Sequence, residues 1–214
     1  MKLGAGLLVV LFLSSLALVS VSAPAEEASA QASRDEKVEA FLQARDSTWR
    51  DMNVPRRDGQ FLHDLIVEKG YTRGLEIGTS TGHSSIWIAW ALSKNGGKLV
   101  TLEIDESRRR EALQNFEKAG VADVIDSRLG DAHELVKTIE GPFDFVFSDA
   151  DKGWYTQYFV DVAPKMVPGG CYVSHNIGMR GMRAYVDHLE IQPDFETTIE
   201  DDRTSGVAVT CRTE

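Results

Sequence analysis

Apolar positions along this chain fall into two rhythms. Short apolar runs at Leu75 and Ile77, at Leu99, Val100, Leu102 and Ile104, and at Phe143, Phe145, Val146 and Phe147 have the length and content of buried strands. Between them, apolar residues recur three and four apart, as at Ile86, Ile88, Ala89 and Leu92, which is the spacing of one helix face. This pattern predicts strands near 75–77, 98–104, 125–129, 143–147 and 171–174. It predicts helices over 84–94, 106–118, 154–166 and 182–189. Two earlier helices precede the first strand: 34–51, with Val38, Phe41, Leu42 and Trp49 among charges, and 59–69, which Gly70 ends. Pro55 separates them, because it disfavours helix at Val54. The last two runs, near 195–199 and 206–211, read as a hairpin. Strands alternating with helices call for an α/β fold: a doubly wound, mainly parallel sheet with an antiparallel C-terminal hairpin.

One stretch organises the rest: Gly74-Leu75-Glu76-Ile77-Gly78-Thr79-Ser80-Thr81-Gly82-His83-Ser84-Ser85. A buried strand passes through glycines four apart into a helix that starts near His83 or Ser84. Gly78 allows a tight turn, and Gly82 is expected to let the backbone approach a ligand closely. Glu76, an acid just before the turn, suits a cationic ligand such as an amino acid carrying a sulfonium. A pyrophosphate would suit it poorly, and the dinucleotide fingerprint G-x-G-x-x-G is missing. The combination points to S-adenosylmethionine. In doubly wound sheets, ligands sit at the carboxyl ends of the strands. The polar residues gather there: Glu76 and Gly78 after the first strand, Glu103 after the second, Asp131 after the third, Asp149 after the fourth, and His175 and Asn176 after the fifth.

Charge and the N-terminal segment bound the setting. The formal charge of −10 and the absence of a basic stripe argue against nucleic acid as a partner. Arg108-Arg109-Arg110 reads as a solvated helix face. Lys2 followed by the apolar residues 3–21, then Ala23-Pro24-Ala25 and Ala28-Ser29-Ala30, resembles a targeting segment with small-residue cleavage sites. Residues 1–25 are therefore expected to be a signal peptide or membrane anchor, 26–34 a linker, and 35–214 the folded domain. The chain is expected to be exported, periplasmic or secreted, or tethered to a membrane through residues 3–21. A homodimer stays open. Cys171 and Cys211 lack metal-type spacing and ordinarily would be buried free thiols.

Taken together, the run from Leu75 to Ser85, then Thr101-Leu102-Glu103-Ile104-Asp105, Gly130-Asp131-Ala132, and Phe143-Asp144-Phe145-Val146-Phe147-Ser148-Asp149-Ala150-Asp151-Lys152, resembles the S-adenosylmethionine-dependent O-methyltransferases of the catechol and caffeoyl-CoA type. Met52-Asn53-Val54 with Gly59-Gln60 is similar to that family's cofactor-covering segment. The resemblance covers roughly residues 40–212 and implies a Rossmann-like methyltransferase sheet. It implies a cofactor site at Val54, Glu76, Gly78, Ser80, Gly82, His83, Ser84, Glu103, Asp131 and Asp149. Glu76, Gly78 and Ser84 would hold the methionine end, Glu103 both ribose hydroxyls, and Asp131 the adenine amine. Asp149 would ligate a divalent metal (Mg, Mn or Zn), and Lys152 would be the base beside the acceptor hydroxyl. The acceptor would be a small phenolic or catechol-like molecule. In such folds the last strand inserts antiparallel beside the fifth, which would bring Cys211 to Cys171 and permit a disulfide.

The fifth strand departs from that pattern. Where the family usually has Asp-Asn, this chain has His175-Asn176. Three readings stay open: His175 ligates a softer metal with Asp149 and Asn176, acts as a metal-free general base, or marks a domain that no longer catalyses. His83 stands where the family often has Tyr and reads as a residue packed near the cofactor. His63, His133 and His188 read as surface or core residues of their helices. Two further functions stay in view beside the methyltransferase. One is an exported cofactor-binding module without turnover; the other, weaker, is a nicotinamide enzyme.

Overall fold

The computed structural model describes residues 23–49, 52–200 and 206–213. Seven strands form one sheet: β1 (Arg73–Ile77), β2 (Lys98–Glu103), β3 (Ile125–Leu129), β4 (Phe143–Ser148), β5 (Met166–His175), β6 (Phe195–Glu200) and β7 (Val207–Arg212). Their order is β3-β2-β1-β4-β5-β7-β6. The first five pair in parallel, and β7 runs antiparallel between β5 and β6. The helices are α1 (Ala23–Arg45), α2 (Arg56–Lys69), α3 (His83–Lys94), α4 (Glu106–Ala119), α5 (Ala132–Thr138), α6 (Tyr155–Val162) and α7 (Arg183–Glu190).

Side-chain alternation along the strands divides the interior into two cores. Phe145 and Phe147 of β4 join one core with Leu42 of α1, Leu62 and Ile66 of α2, Ile86 of α3 and Phe116 of α4. Val146 of the same strand joins the other, with Leu75 and Ile77 of β1, Val136 of α5, Tyr158 of α6 and Leu189 of α7. Phe143 joins it too, beyond an irregularity in the β4–β5 pairing between Phe143 and Phe145. The sheet is thus covered on both faces, and its order reverses between β1 and β4. Ligands of such sheets are held at that reversal.

Three expectations change. Residues 26–34 are not a linker; they lie within α1, where Ala, Glu and Gln are good helix formers. The helix is anchored: Asp35 accepts from Trp90 Nε1 and pairs with Lys94 Nζ at 2.7 Å, and Val38 and Leu42 are buried. The expected cleavage tripeptides at 23–25 and 28–30 fall inside this helix rather than in an open chain. Residues 3–21 lie outside the described residues. The expectation of an exported or membrane-anchored chain is corrected accordingly: among the described residues no helix is long and apolar enough to cross a membrane. The fifth strand is also longer than expected. Gly169 and Gly170 lie within it, and a Cβ on Gly170 would come within 3.1 Å of Asp144 Cα on the neighbouring strand.

Cys171 and Cys211 face each other in the β5–β7 register and are joined by a disulfide. The Tyr71 hydroxyl lies 2.9 Å from Cys171 Sγ and 2.8 Å from the Gly169 carbonyl oxygen, to which it donates. The crosslink ties the antiparallel edge to the parallel part of the sheet.

Candidate active site

The turn after β1 is built from backbone contacts. The amides of Gly78 and Thr79 both donate to the Leu102 carbonyl, each at 3.1 Å, so β2 holds the turn from one side. From the other side, the segment that follows β4 leaves so little room that a Cβ on Gly78 would sit 3.1 Å from the Ala150 amide nitrogen. Gly78 has φ +104°, which also favours glycine. Ser80 has φ +49°, a left-handed conformation uncommon for a residue with a Cβ and concentrated at functional turns. Its amide donates to Glu103 Oε2 at 2.7 Å, and the Asp105 amide donates to Glu103 Oε1 at 2.9 Å. Two backbone donors therefore fix the Glu103 carboxylate, which is 6% exposed, at the end of β2.

Glu76 and Gly82 do something other than expected. Glu76 is fully buried beneath the turn, accepting hydrogen bonds from Ser85 Oγ and from Thr101 Oγ1 at 2.6 Å. Burial raises its pKa to about 7, against the lowering effect of the nearby hydroxyls of Ser84, Ser85 and Thr101. It braces the turn and does not line the cavity. Gly82 caps α3 at φ +96°, and a Cβ there would come within 2.5 Å of the Phe116 ring. Its missing side chain makes room for α4, not for a ligand. His83 is buried: Nδ1 donates to the Val54 carbonyl at 2.8 Å, and Nε2 accepts from Trp87 Nε1 at 3.1 Å. These two contacts fix a neutral tautomer, and burial lowers its pKa to about 4. Through this bond His83 fastens Val54, and with it the segment that covers the turn.

A charged cluster closes the other half of the site. Asp149, after β4, pairs with Lys152 Nζ through Oδ1 at 2.5 Å, and its Oδ2 lies 3.2 Å from His175 Nδ1. His175, the last residue of β5, has its Nε2 3.1 Å from Oδ2 of Asp58 in the first turn of α2. Both Asp58 and His175 are buried. Burial lowers the His175 pKa, but the hydrogen bonds and charges of Asp149 and Asp58 outweigh it and raise the pKa to about 9. The Tyr155 hydroxyl bridges the carbonyls of Ser148 at 2.9 Å and His175 at 3.1 Å, tying the ends of β4 and β5 together. Asn176 follows in a left-handed conformation, φ +61°.

The two halves face one cavity of about 800 Å³ at the carboxyl ends of the strands. Of the expected residues, Gly78, Ser80, Ser84, Glu103, Asp131, Asp149, Lys152, His175 and Asn176 line it. Val54, Glu76, Gly82 and His83 stand behind it. Asp131 caps α5, accepting from the His133 amide at 2.9 Å. Arg108, expected on a solvated face, also reaches the cavity. Two contributors were missed from sequence. Asp58 sits in the first turn of a helix, where an acid is ordinary and gives no sign of facing inward. His133 lines the cavity, stacked on Trp154 with ring centroids 3.8 Å apart. A second cavity of about 540 Å³, at the amino ends of the strands beside Arg73 and Lys98, holds none of the candidate residues.

A family profile described as O-methyltransferase matches residues 26–199. The chain belongs to the O-methyltransferase family. Among curated relatives, it is 38% identical over 130 residues to a catechol O-methyltransferase of Niastella koreensis, covering 59% of this chain and 58% of that protein. It is 35% identical over 127 residues to caffeoyl-CoA O-methyltransferase 1 of Eucalyptus globulus, covering 57% of this chain and 51% of that protein. The aligned stretch thus spans a little over half of those relatives. Among solved structures, the O-methyltransferase of Streptomyces achromogenes involved in tomaymycin synthesis, in complex with S-adenosylmethionine, superposes with a TM-score of 0.69 at 29% identity, over 84% of this chain and 90% of that one.

The family resemblance implies a divalent metal, and the donor set here does not fit one. Among the described residues, no group of three or more His, Cys, Asp or Glu is arranged to hold a metal ion. Where a hard cation would need free carboxylate oxygens, Asp149 already faces an ammonium on one oxygen and an imidazole on the other.

Proposed function

We propose that this protein transfers a methyl group from S-adenosylmethionine to the hydroxyl of a small phenolic or catechol-like acceptor. The observation that carries this reading is Glu103: a buried carboxylate, fixed by two backbone amides, facing the same cavity as the Asp149–Lys152 pair. A carboxylate so anchored keeps acceptor capacity for two vicinal hydroxyls, as a ribose presents. Ser84 and the turn at Gly78 and Ser80 take the methionine end, and Asp131, beside the His133–Trp154 stack, takes the adenine end.

Methyl transfer is an in-line displacement, so the enzyme's task is to align an acceptor oxygen with the methyl carbon and to remove its proton. Lys152, a quarter exposed at the cavity wall, is placed to receive the acceptor's proton and pass one on to solvent. Oxygen forms the bond to the methyl carbon as the carbon–sulfur bond breaks, and the sulfonium leaves as a neutral thioether. Asp149 holds Lys152 in place through the pair at 2.5 Å. The alternative, a cofactor-binding module without turnover, keeps the Glu103 half and has no use for the charged half.

The deciding experiment is titration of S-adenosylmethionine into the protein, followed by methyl transfer to catechol. Binding with turnover is expected. Binding without turnover across a panel of phenols supports the binding module, and absence of binding ends both readings.

A further inference from the structure

We propose that the His175 side chain, clamped between Asp58 and Asp149, is a built-in cation that takes the place of a divalent metal in this site. Its two ring nitrogens face carboxylate oxygens at 3.1 and 3.2 Å on opposite edges. An ionised carboxylate only accepts hydrogen bonds, so each contact requires an N–H, and imidazole has two only when it carries a positive charge. A metal ligand, by contrast, must offer a nitrogen lone pair. With both nitrogens committed as donors, His175 has none to offer.

The clamp is assembled from three distant segments, and its parts are held by packing. Asp58 reaches His175 because α2 lies close on α3 at Gly59, where even a Cβ would come within 2.2 Å of the Trp87 ring. His175 is held by β5 and the Tyr155 bridge, and Asp149 by β4, its amide donating to the Ile77 carbonyl at 3.0 Å. The four charges of Asp58, Asp149, Lys152 and His175 cancel. A divalent cation placed among them would add two uncompensated positive charges to a buried cluster, which is strongly unfavourable.

The consequence for the acceptor rests on the methyltransferase reading. A metal can bind two adjacent oxygens of a catechol at once. An imidazolium with both N–H groups committed supplies only positive potential, and contact with the acceptor oxygen falls to Lys152 and Asn176, both at the cavity wall. One hydroxyl then suffices, so simple monohydric phenols are substrates alongside catechols.

The test uses the full chain, freed of metal by a chelator and titrated with Mn²⁺ while free Mn²⁺ is followed by electron paramagnetic resonance. The wild type is expected to take up no stoichiometric Mn²⁺. His175→Asp, which removes the cation and adds a carboxylate, is expected to bind Mn²⁺ at least ~10-fold more tightly, the scale on which groups around a metal change its affinity. Stoichiometric Mn²⁺ uptake by the wild type that Asp149→Asn abolishes would overturn the proposal. Should the His175 variant fail to fold, the wild-type titration decides alone. Methyl transfer to both catechol and a monohydric phenol in excess chelator supports the proposal, and transfer that needs added Mn²⁺ defeats it. Calorimetry with S-adenosylmethionine on the same sample keeps the two readings apart: lack of cofactor binding removes the enzyme but leaves the Mn²⁺ result to judge His175.

Discussion

The two halves of the cavity are built in opposite ways. The half at Gly78, Ser80 and Glu103 is made of backbone amides and one carboxylate from adjacent strands, with partners 23 and 2 residues apart in the chain. The half at Asp58, Asp149, Lys152 and His175 is made of charged side chains, with partners as far as 117 residues apart. The first half varies little without breaking the fold, because its hydrogen bonds are also those of the turn. The second can change its chemistry by one residue while the strands that carry it stay put. A family can therefore keep one cofactor while its members diverge in how they treat the acceptor.

The comparison would be broken most sharply at Asp149. If the charged half serves chemistry alone, Asp149→Asn lowers methyl transfer by about 10²–10⁴-fold, the usual contribution of a positioned acid–base group. Affinity for S-adenosylmethionine, read by calorimetry, changes far less. Equal losses in both would place Asp149 with the cofactor and erase the division between the halves.

The converse change is Glu103→Ala. Two hydrogen bonds to a charged carboxylate are worth about 1.5–3 kcal/mol each. Losing both is expected to weaken cofactor binding on the order of 100-fold or more. The amides of Ser80 and Asp105 lose their acceptor as well, so the melting temperature falls too. Glu103→Gln, which keeps one acceptor oxygen, should recover part of each loss. Unchanged affinity in the alanine variant would remove Glu103 from the proposed ribose contact.

That division also explains what could be read from the sequence. Glycine spacing and apolar runs report local backbone, so the strand–turn–helix at 73–94 and the polar residues at the strand ends were legible. What one residue does for a distant one was not. Gly82 looked like a ligand contact, yet its bare Cα accommodates Phe116 of α4. Glu76 looked like a wall of the cavity, yet it lies beneath it, bonded to Thr101 of the next strand. Asp58 carried no signal at all, because only the packing of α2 on α3 turns it toward β5. The composition of residues 26–34 was ambiguous in itself: Ala, Ser and Glu suit a linker as well as a helix, and contacts from Asp35 and Val38 decide the matter.

A smaller effect sharpens the comparison at the seam between the halves. Gly59→Ala places a methyl group where the Trp87 ring now lies, 2.2 Å away. Overpacking of this kind costs about 1–3 kcal/mol, which in a chain of this size lowers the melting temperature by about 2–10 °C. It also moves Asp58 off His175, so activity should fall more than cofactor affinity does. Unchanged melting would mean that α2 has slack and that the clamp is set by other contacts.

The smallest effect concerns His83, which holds the covering segment through the Val54 carbonyl. Its pKa is lowered from the usual 6.5 to about 4 in the folded protein, mainly by burial. Between those two values the unfolded chain binds a proton at this residue and the folded chain does not, so acidification favours the unfolded state. The stabilising contribution is fully present above pH 6.5 and is lost as the pH falls toward about 4, with a limiting slope of one proton. His83→Gln offers a donor for Val54 and an acceptor for Trp87 without titrating. Denaturant unfolding of both proteins at a series of pH values should therefore give parallel curves above pH 6.5, with the wild type falling more steeply by up to about 1.4 kcal/mol per pH unit below it. Parallel curves throughout would show that His83 takes up its proton without leaving the fold. The neutral contact to Val54 would then be dispensable, and the covering segment would owe its position to the packing of Trp49 on the His83 ring, whose centroids lie 4.6 Å apart.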